Sequence, residues 1–277
     1  MSDNLPKNRK QLFKYLASRW DAVLSVSLLV TLLAVPLIAV IMVQSAVCAN
    51  ITLQMNQAPD NEKAVYVLRL LRAQSVGALV SVVGFYPLCL GLNGAFRYYK
   101  RTVWAEGATI RDDFWQGVKD KPWKNAVVFA LLGVAVWCVE FVFVYVPSVE
   151  MSAFQRMLMY GFSVLLVAYV AAVCVFFAVQ NAVYNVGFFA CFKNSLVLAL
   201  KGLLPVVGFV AVAVLPQIVP FFFYNTVVDV VGYAVVALFG VGYATLVLTL
   251  VADYVLDKEI NSVNYPQIVD KGIVRNK

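Results

Sequence analysis

Six long apolar runs organise this chain: residues 21–49, 73–96, 125–147, 157–181, 203–223 and 228–252. A hydrocarbon core of about 30 Å takes roughly 20 helical residues to cross. Each run meets that length, and each predicts a membrane-spanning helix. Polar positions collect in the gaps between runs. The longest internal gap, 97–124, has no room for a soluble domain. The expected fold is therefore all-α: a single transmembrane domain over 1–277, built as a bundle of six helices.

The shorter periodicities add surface helices. Leu12, Leu16 and Trp20 recur beside basic residues, which suits a helix lying on the inner leaflet. Thr109-Ile110-Arg111-Asp112 fits a helix N-cap, with Ile110, Phe114 and Val118 following on one face. Lys121-Pro122 then stops that helix. This predicts an in-plane helix over 110–120 that packs Phe114 and Val118 on the membrane domain and turns Arg111, Asp112, Asp113, Lys119 and Asp120 to the cytoplasm. The segment is a candidate docking helix. The gap 182–202 reads as a continuation of the fourth helix that turns back at Lys201-Gly202, and residues 50–66 read as a polar outer loop.

Composition agrees with a lipid-covered protein. Hydrophobic residues make up 62% and charged residues 13% of the chain, against about 25% charged in a soluble domain. The net charge of +7 is mainly an orientation signal. With both termini inside, the inner segments hold eighteen Lys and Arg residues and the outer segments four, which sets N-in/C-in by the positive-inside rule. Trp20, Tyr98, Tyr99, Trp104, Trp115 and Trp123 cluster at the same inner boundary, where amphipathic rings favour the headgroup zone. A first run of nearly 30 residues is too long for a signal peptide and reads as a retained helix. The basic residues form no face on a soluble module, so nucleic acid is not an expected partner.

Several chemistries are excluded. There is no His, so no Ser-His-Asp triad and no His-ligated metal. Cys48, Cys89, Cys138, Cys174 and Cys191 lack metal-binding spacing and read as small packing residues. No catalytic residue, cofactor or metal is expected, and the chain does not read as an enzyme.

Two polar features stand out. Glu140 lies about 22 Å up the third span and Gln217 about 21 Å up the fifth, counted at 1.5 Å per residue. Pro216 and Pro220 flank Gln217 and free backbone carbonyls at its level. The pair is a candidate intramembrane polar pocket; the plainer account is a neutral Glu140 giving one hydrogen bond to a neighbouring helix. Arg69 and Arg72 lie just outside the second span. They are candidate contacts for an anion or lipid headgroup, or simple interfacial anchors.

The stretch Pro87-Leu-Cys-Leu-Gly-Leu-Asn-Gly-Ala-Phe-Arg-Tyr-Tyr, then Ile110-Arg-Asp-Asp-Phe-Trp115 and Phe192-Lys-Asn-Ser-Leu-Val-Leu-Ala-Leu200, resembles the YesL-like family of bacterial membrane proteins over residues 80–205. A second bacterial family, beginning with a basic helix and a first span before a Pro-Leu-x-Leu-Gly element, is similar too. Either resemblance implies a plasma (inner) membrane location and supplies no catalytic residues. The first implies proximity to carbohydrate uptake. The functional expectation is a non-enzymatic accessory or regulatory component linked to transport, with the lipid bilayer and a membrane or transport protein as partners. The alternatives are a transporter with its substrate site near Glu140 and Gln217, and a lipid-binding protein.

Overall fold

A computed structural model of the chain describes residues 11, 19–59, 61–104, 106–120, 122–146, 149–184, 186–204, 208, 226–269 and 271. The described residues are helical, with no strand among them. Five helices are long and apolar enough to cross a membrane. Most of the expected span 203–223, including Gln217, lies outside the described residues, and so do 1–10 and 12–18 of the amino-terminal surface helix.

The first two helices are longer than their apolar runs. Helix α1 covers Trp20–Gln57 and α2 covers Lys63–Val103. The 41 residues of α2 make it about 60 Å long at 1.5 Å per residue, twice the hydrocarbon thickness. The polar ends expected as loop are thus helical. Helix α2 begins at Lys63, only six positions after the last residue of α1, and Arg97, Lys100 and Arg101 ride on its last turns. Long polar side chains do not end a helix by themselves. Gly and Pro signals do, and neither falls between 95 and 103. Gly107, at φ 66, supplies the turn instead.

Next come a π-turn at Ile110–Phe114 and the short α3 at Trp115–Lys119. Helix α4 is Pro122–Tyr145, with proline at its first position. Helix α5 is Ala153–Val183. Its start is a reciprocal cap: Ser152 Oγ accepts from Gln155 N–H, and Gln155 Oε1 accepts from Ser152 N–H. The fourth helix does not run on as expected. It ends at Val183, and α6 begins anew at Phe188–Lys201 with Gly187 as N-cap. Helix α7 (Thr226–Val235) passes through a π-turn, Val236–Gly240, into α8 (Val241–Leu256). A second π-turn, Asp257–Asn261, leads into α9 (Ser262–Asn264).

The chain divides into two compact units. Unit 1 is Met1–Leu33, Leu90–Asn125 and Ala172–Lys277; unit 2 is Ala34–Cys89 and Ala126–Ala171.

In unit 2, α1 and α2 run antiparallel along a glycine seam. Gly84 lies against Leu37, where an added Cβ would stand 3.0 Å from the Leu37 Cα. Gly77 lies against Gln44, and Gly133 of α4 receives Val82. In unit 1 the same seam continues one heptad on, with Gly91 against Val30 and Leu33. Glycine at positions 77, 84 and 91 lets the two backbones approach closely, as small residues do in membrane helix pairs. Only 22% of the most apolar stretch of α1 or α2 is buried. The rest, including Met42, Val43, Leu68 and Val83, is exposed and calls for an apolar surrounding.

Unit 1 also holds the tightest crossing. A Cβ on Gly242 would stand 2.3 Å from the Val23 carbonyl oxygen. The π-turn before it leaves the Ala237 carbonyl free to accept from Ser27 Oγ at 3.0 Å and Thr31 Oγ1 at 3.2 Å. Ser27 Oγ in turn accepts from Gly242 N–H at 3.2 Å. The irregular backbone of the helix is thus satisfied by α1, as a spanning segment requires.

Candidate functional site

The polar chemistry of unit 1 gathers where α2 ends. Asn93, Arg97, Lys100, Arg101 and Trp104 recur at helical spacing along these last turns. Lys100 forms an ion pair with Asp253 of α8, and both residues are buried, at 2% and 3% exposure. The Lys100 ammonium also lies 4.4 Å from the centre of the Trp104 ring. Lys271 sits at 4.4 Å from the same ring and pairs with Glu106 at 2.6 Å. A ring that receives two cations uses its negative face and the attraction of its quadrupole. Burial alone would raise the Glu106 carboxyl. Hydrogen bonds and positive charge from Lys271 and Arg101 outweigh it and hold the group below the usual carboxylate range.

Arg101 bridges outward to the connector. It pairs with Glu106 and with Asp113. The Asp113 carboxylate also accepts from the Thr109 backbone N–H at 2.7 Å. Asp113 is 4% exposed, which corrects the expectation that it faces the cytoplasm. A carboxylate held by a fixed backbone N–H and a guanidinium is better satisfied there than a lone surface charge. Thr109 caps the π-turn: its hydroxyl oxygen accepts from Asp112 N–H. Arg97 reaches Asp120 at 2.9 Å, past the end of α3.

Apolar contact completes the lock. Phe114 is fully buried, and an added Cβ at Gly94 would meet its backbone and ring at 2.8 and 2.9 Å. Gly117 presses on Asn93 and Gly94 in the same way. Two glycines therefore form the notch into which the connector fits. Arg111, Asp112, Trp115, Gln116 and Lys119 remain exposed on its other side. Of the four candidate docking residues, Arg111 and Asp112 point outward, while Asp113 and Phe114 anchor the segment.

A cavity of about 10 Å³ lies between the connector and the helices, lined by Asn93, Arg97, Asp120, Asn125 and Asn181. Both polar atoms of the Asn93 side chain are buried without a partner. The space is that of a single water. Elsewhere in the unit, Tyr184 donates its hydroxyl to Asn261, whose amide donates to Asp257 at 2.6 Å. Burial pushes the Tyr184 phenol up to about 12, so it stays a proton donor.

The remaining sequence candidates are not brought into this cluster. The side chain of Glu140 and all of Gln217 lie outside the described residues. Arg69 and Arg72 are exposed on α2 in unit 2, and Arg69 lies 5.2 Å from the Tyr66 ring. None of the five cysteines is in a disulfide among the described residues, and three of them are buried. No group of three or more Cys, Asp or Glu able to hold a metal occurs among the described residues.

Sequence reasoning missed Lys100 and Asp253, the pair at the centre of the cluster. Lys100 was counted as a loop charge, and the sixth run was closed one residue before Asp253. A signal existed: Asp253, Asp257 and Asn261 recur every four residues, a polar stripe on one face of an otherwise apolar helix. Comparisons of the chain with protein-family models, with curated proteins and with solved structures find no match.

Proposed function

We propose that this chain is a non-enzymatic bacterial inner-membrane protein of six spans with both termini cytoplasmic. It acts as an accessory or regulatory component of a transport assembly, and its connector 109–120 is the docking face for a partner. The carrying observation is that the connector is fixed from beneath by Asp113, Phe114, Arg97 and Asp120 while it presents Arg111, Asp112, Trp115, Gln116 and Lys119 outward. Preorganised charge and an exposed tryptophan are what a partner-binding patch requires, because little ordering entropy is left to lose on association. The eighteen-to-four distribution of Lys and Arg supports the orientation.

The test is site-specific photo-crosslinking in native membranes. A photoreactive residue at Gln116 should give one discrete adduct, and one at Phe114 none. Arg111→Glu with Asp112→Lys should abolish the adduct while leaving expression and monodispersity intact. An adduct pattern at Gln116 that the charge reversal leaves unchanged would remove the docking role. A cysteine at residue 57 that labels only from the cytoplasm would overturn the threading.

A further inference from the structure

Unit 2 contains a cavity of about 410 Å³ among α1, α2 and α4, within the 300–1,000 Å³ typical of small-molecule sites. Its two ends differ chemically. The pairing of Gln44 with Gly77 and Leu37 with Gly84 fixes the antiparallel register. One end therefore holds Gln44, Ser45 and Gln74, the other holds Leu37 and Phe85, and Val136 lies between them, because Gly133 of the antiparallel α4 is level with Val82. The distance between the ends is about 10–16 Å, from the seven to eleven residues that separate them along each helix.

At the polar end the Gln74 side-chain oxygen is buried and has no hydrogen-bond partner. The Gln44 amide instead reaches the Gln74 backbone carbonyl at 3.4 Å, the limit of a hydrogen bond. Ser81 donates its proton to the Gly77 carbonyl at 2.9 Å, so its hydroxyl offers only lone pairs to the cavity. The Gln74 oxygen thus stands at the cavity without a donor. No charged side chain lines it. Arg72 is two residues from Gln74 and so on a different face of α2.

The cavity is also open sideways. Ile41 and Phe143 both line it, yet each is nearly half exposed, at 48% and 47%. That exposed surface is the apolar one that lipid must cover. An occupant can therefore enter from the bilayer without crossing water.

We infer that unit 2 binds one bilayer amphipath: an alkyl chain lies along Leu37, Phe85 and Val136, and a headgroup carrying N–H or O–H donors reaches the Gln74 oxygen. An unsatisfied buried acceptor is a standing penalty, which such a donor relieves. An uncharged rim accepts a zwitterionic or neutral head. This inference is independent of the docking face on the connector.

The experiment uses the full chain in vesicles of phosphatidylcholine doped with phosphatidylethanolamine that carries a photoreactive acyl chain. The ethanolamine ammonium is a donor, and the quaternary ammonium of the bulk lipid is not. Wild type should give saturable labelling of the peptides around Leu37, Phe85 and Val136. Unlabelled phosphatidylethanolamine should compete at least fivefold better than phosphatidylcholine. Gln74→Leu should remove that preference and Ser81→Trp should remove the labelling. Val80→Trp, on the exposed face of α2, should change neither. Labelling that is unsaturable, or equal in Ser81→Trp and Val80→Trp, would overturn the site. Saturable labelling with no head preference and a silent Gln74→Leu would overturn the headgroup contact and leave Gln74 to water.

Discussion

Lys100→Met should be among the most damaging single changes in unit 1. The variant keeps the apolar stem and its volume but removes the charge facing Asp253, which is 3% exposed. Breaking one side of a buried ion pair costs about 3–5 kcal/mol, roughly two to nearly four powers of ten in a folding equilibrium. The lost contact with the Trp104 ring adds about 0.5–2 kcal/mol, although Lys271 still covers that ring. Asp253→Leu should cost a similar amount, because it leaves a buried ammonium. The double variant Lys100→Met/Asp253→Leu removes both charges together and their desolvation with them. It should return to within about 2 kcal/mol of wild type, the deficit being mainly the Trp104 contact. The assay is denaturant unfolding of the purified protein in detergent, run as a double-mutant cycle. Two single variants that each lose less than about 1 kcal/mol and add in the double would refute the reasoning. The pair would then be a solvated surface contact.

Gly242→Ala should force α1 and α8 apart by roughly 1 Å to relieve a Cβ placed 2.3 Å from the Val23 carbonyl. The cost should be about 1–3 kcal/mol, read as a drop in thermal unfolding temperature. Gly161→Ala has open space around the new methyl and should be neutral or slightly stabilising, so equal losses at both positions would contradict the close crossing. The Glu106 carboxyl is held below its ordinary value in the folded protein, so its pairing with Lys271 contributes above the unfolded value of about 4.3 and is lost as pH falls through the lower folded value. Hydrogen exchange around residues 265–271 should therefore speed up on acidification below about pH 4, and Glu106→Gln should abolish that step. An identical profile in wild type and variant would show that the tail is held by something else.

How much of this was legible in the sequence follows from the range of each interaction. Apolar run length decided that the chain is helical and long enough in five places to cross a membrane, because burying backbone in lipid leaves few alternatives to the helix. Local chemistry also reached the connector: Thr109 reads as a cap, and Phe114 reads as the anchoring apolar position. Helix ends were less legible. Charged residues at 97–101 look like loop, but nothing there breaks a helix, so α2 simply extends past its apolar core. The break between α5 and α6 carried a glycine signal at Gly187, but the apolar runs on both sides of it read as one continuous helix.

Only tertiary structure decided partners. Lys100 and Asp253 are 153 residues apart, and no local periodicity couples them. Asp112 and Asp113 are neighbours with the same chemistry, yet one is exposed and the other buried. Side chains one residue apart on a helical turn point about 100° apart, and the Arg101 guanidinium waits on one side only. The glycines at 77, 84 and 91 are visible in the chain, but which helix fills their seam, and the cavity that opens beside it, depends on where α1 and α4 come to lie. Chain pattern sets the helices through local backbone energetics and the demand for an apolar surrounding. The site is set by the contacts made when helices distant in sequence pack together.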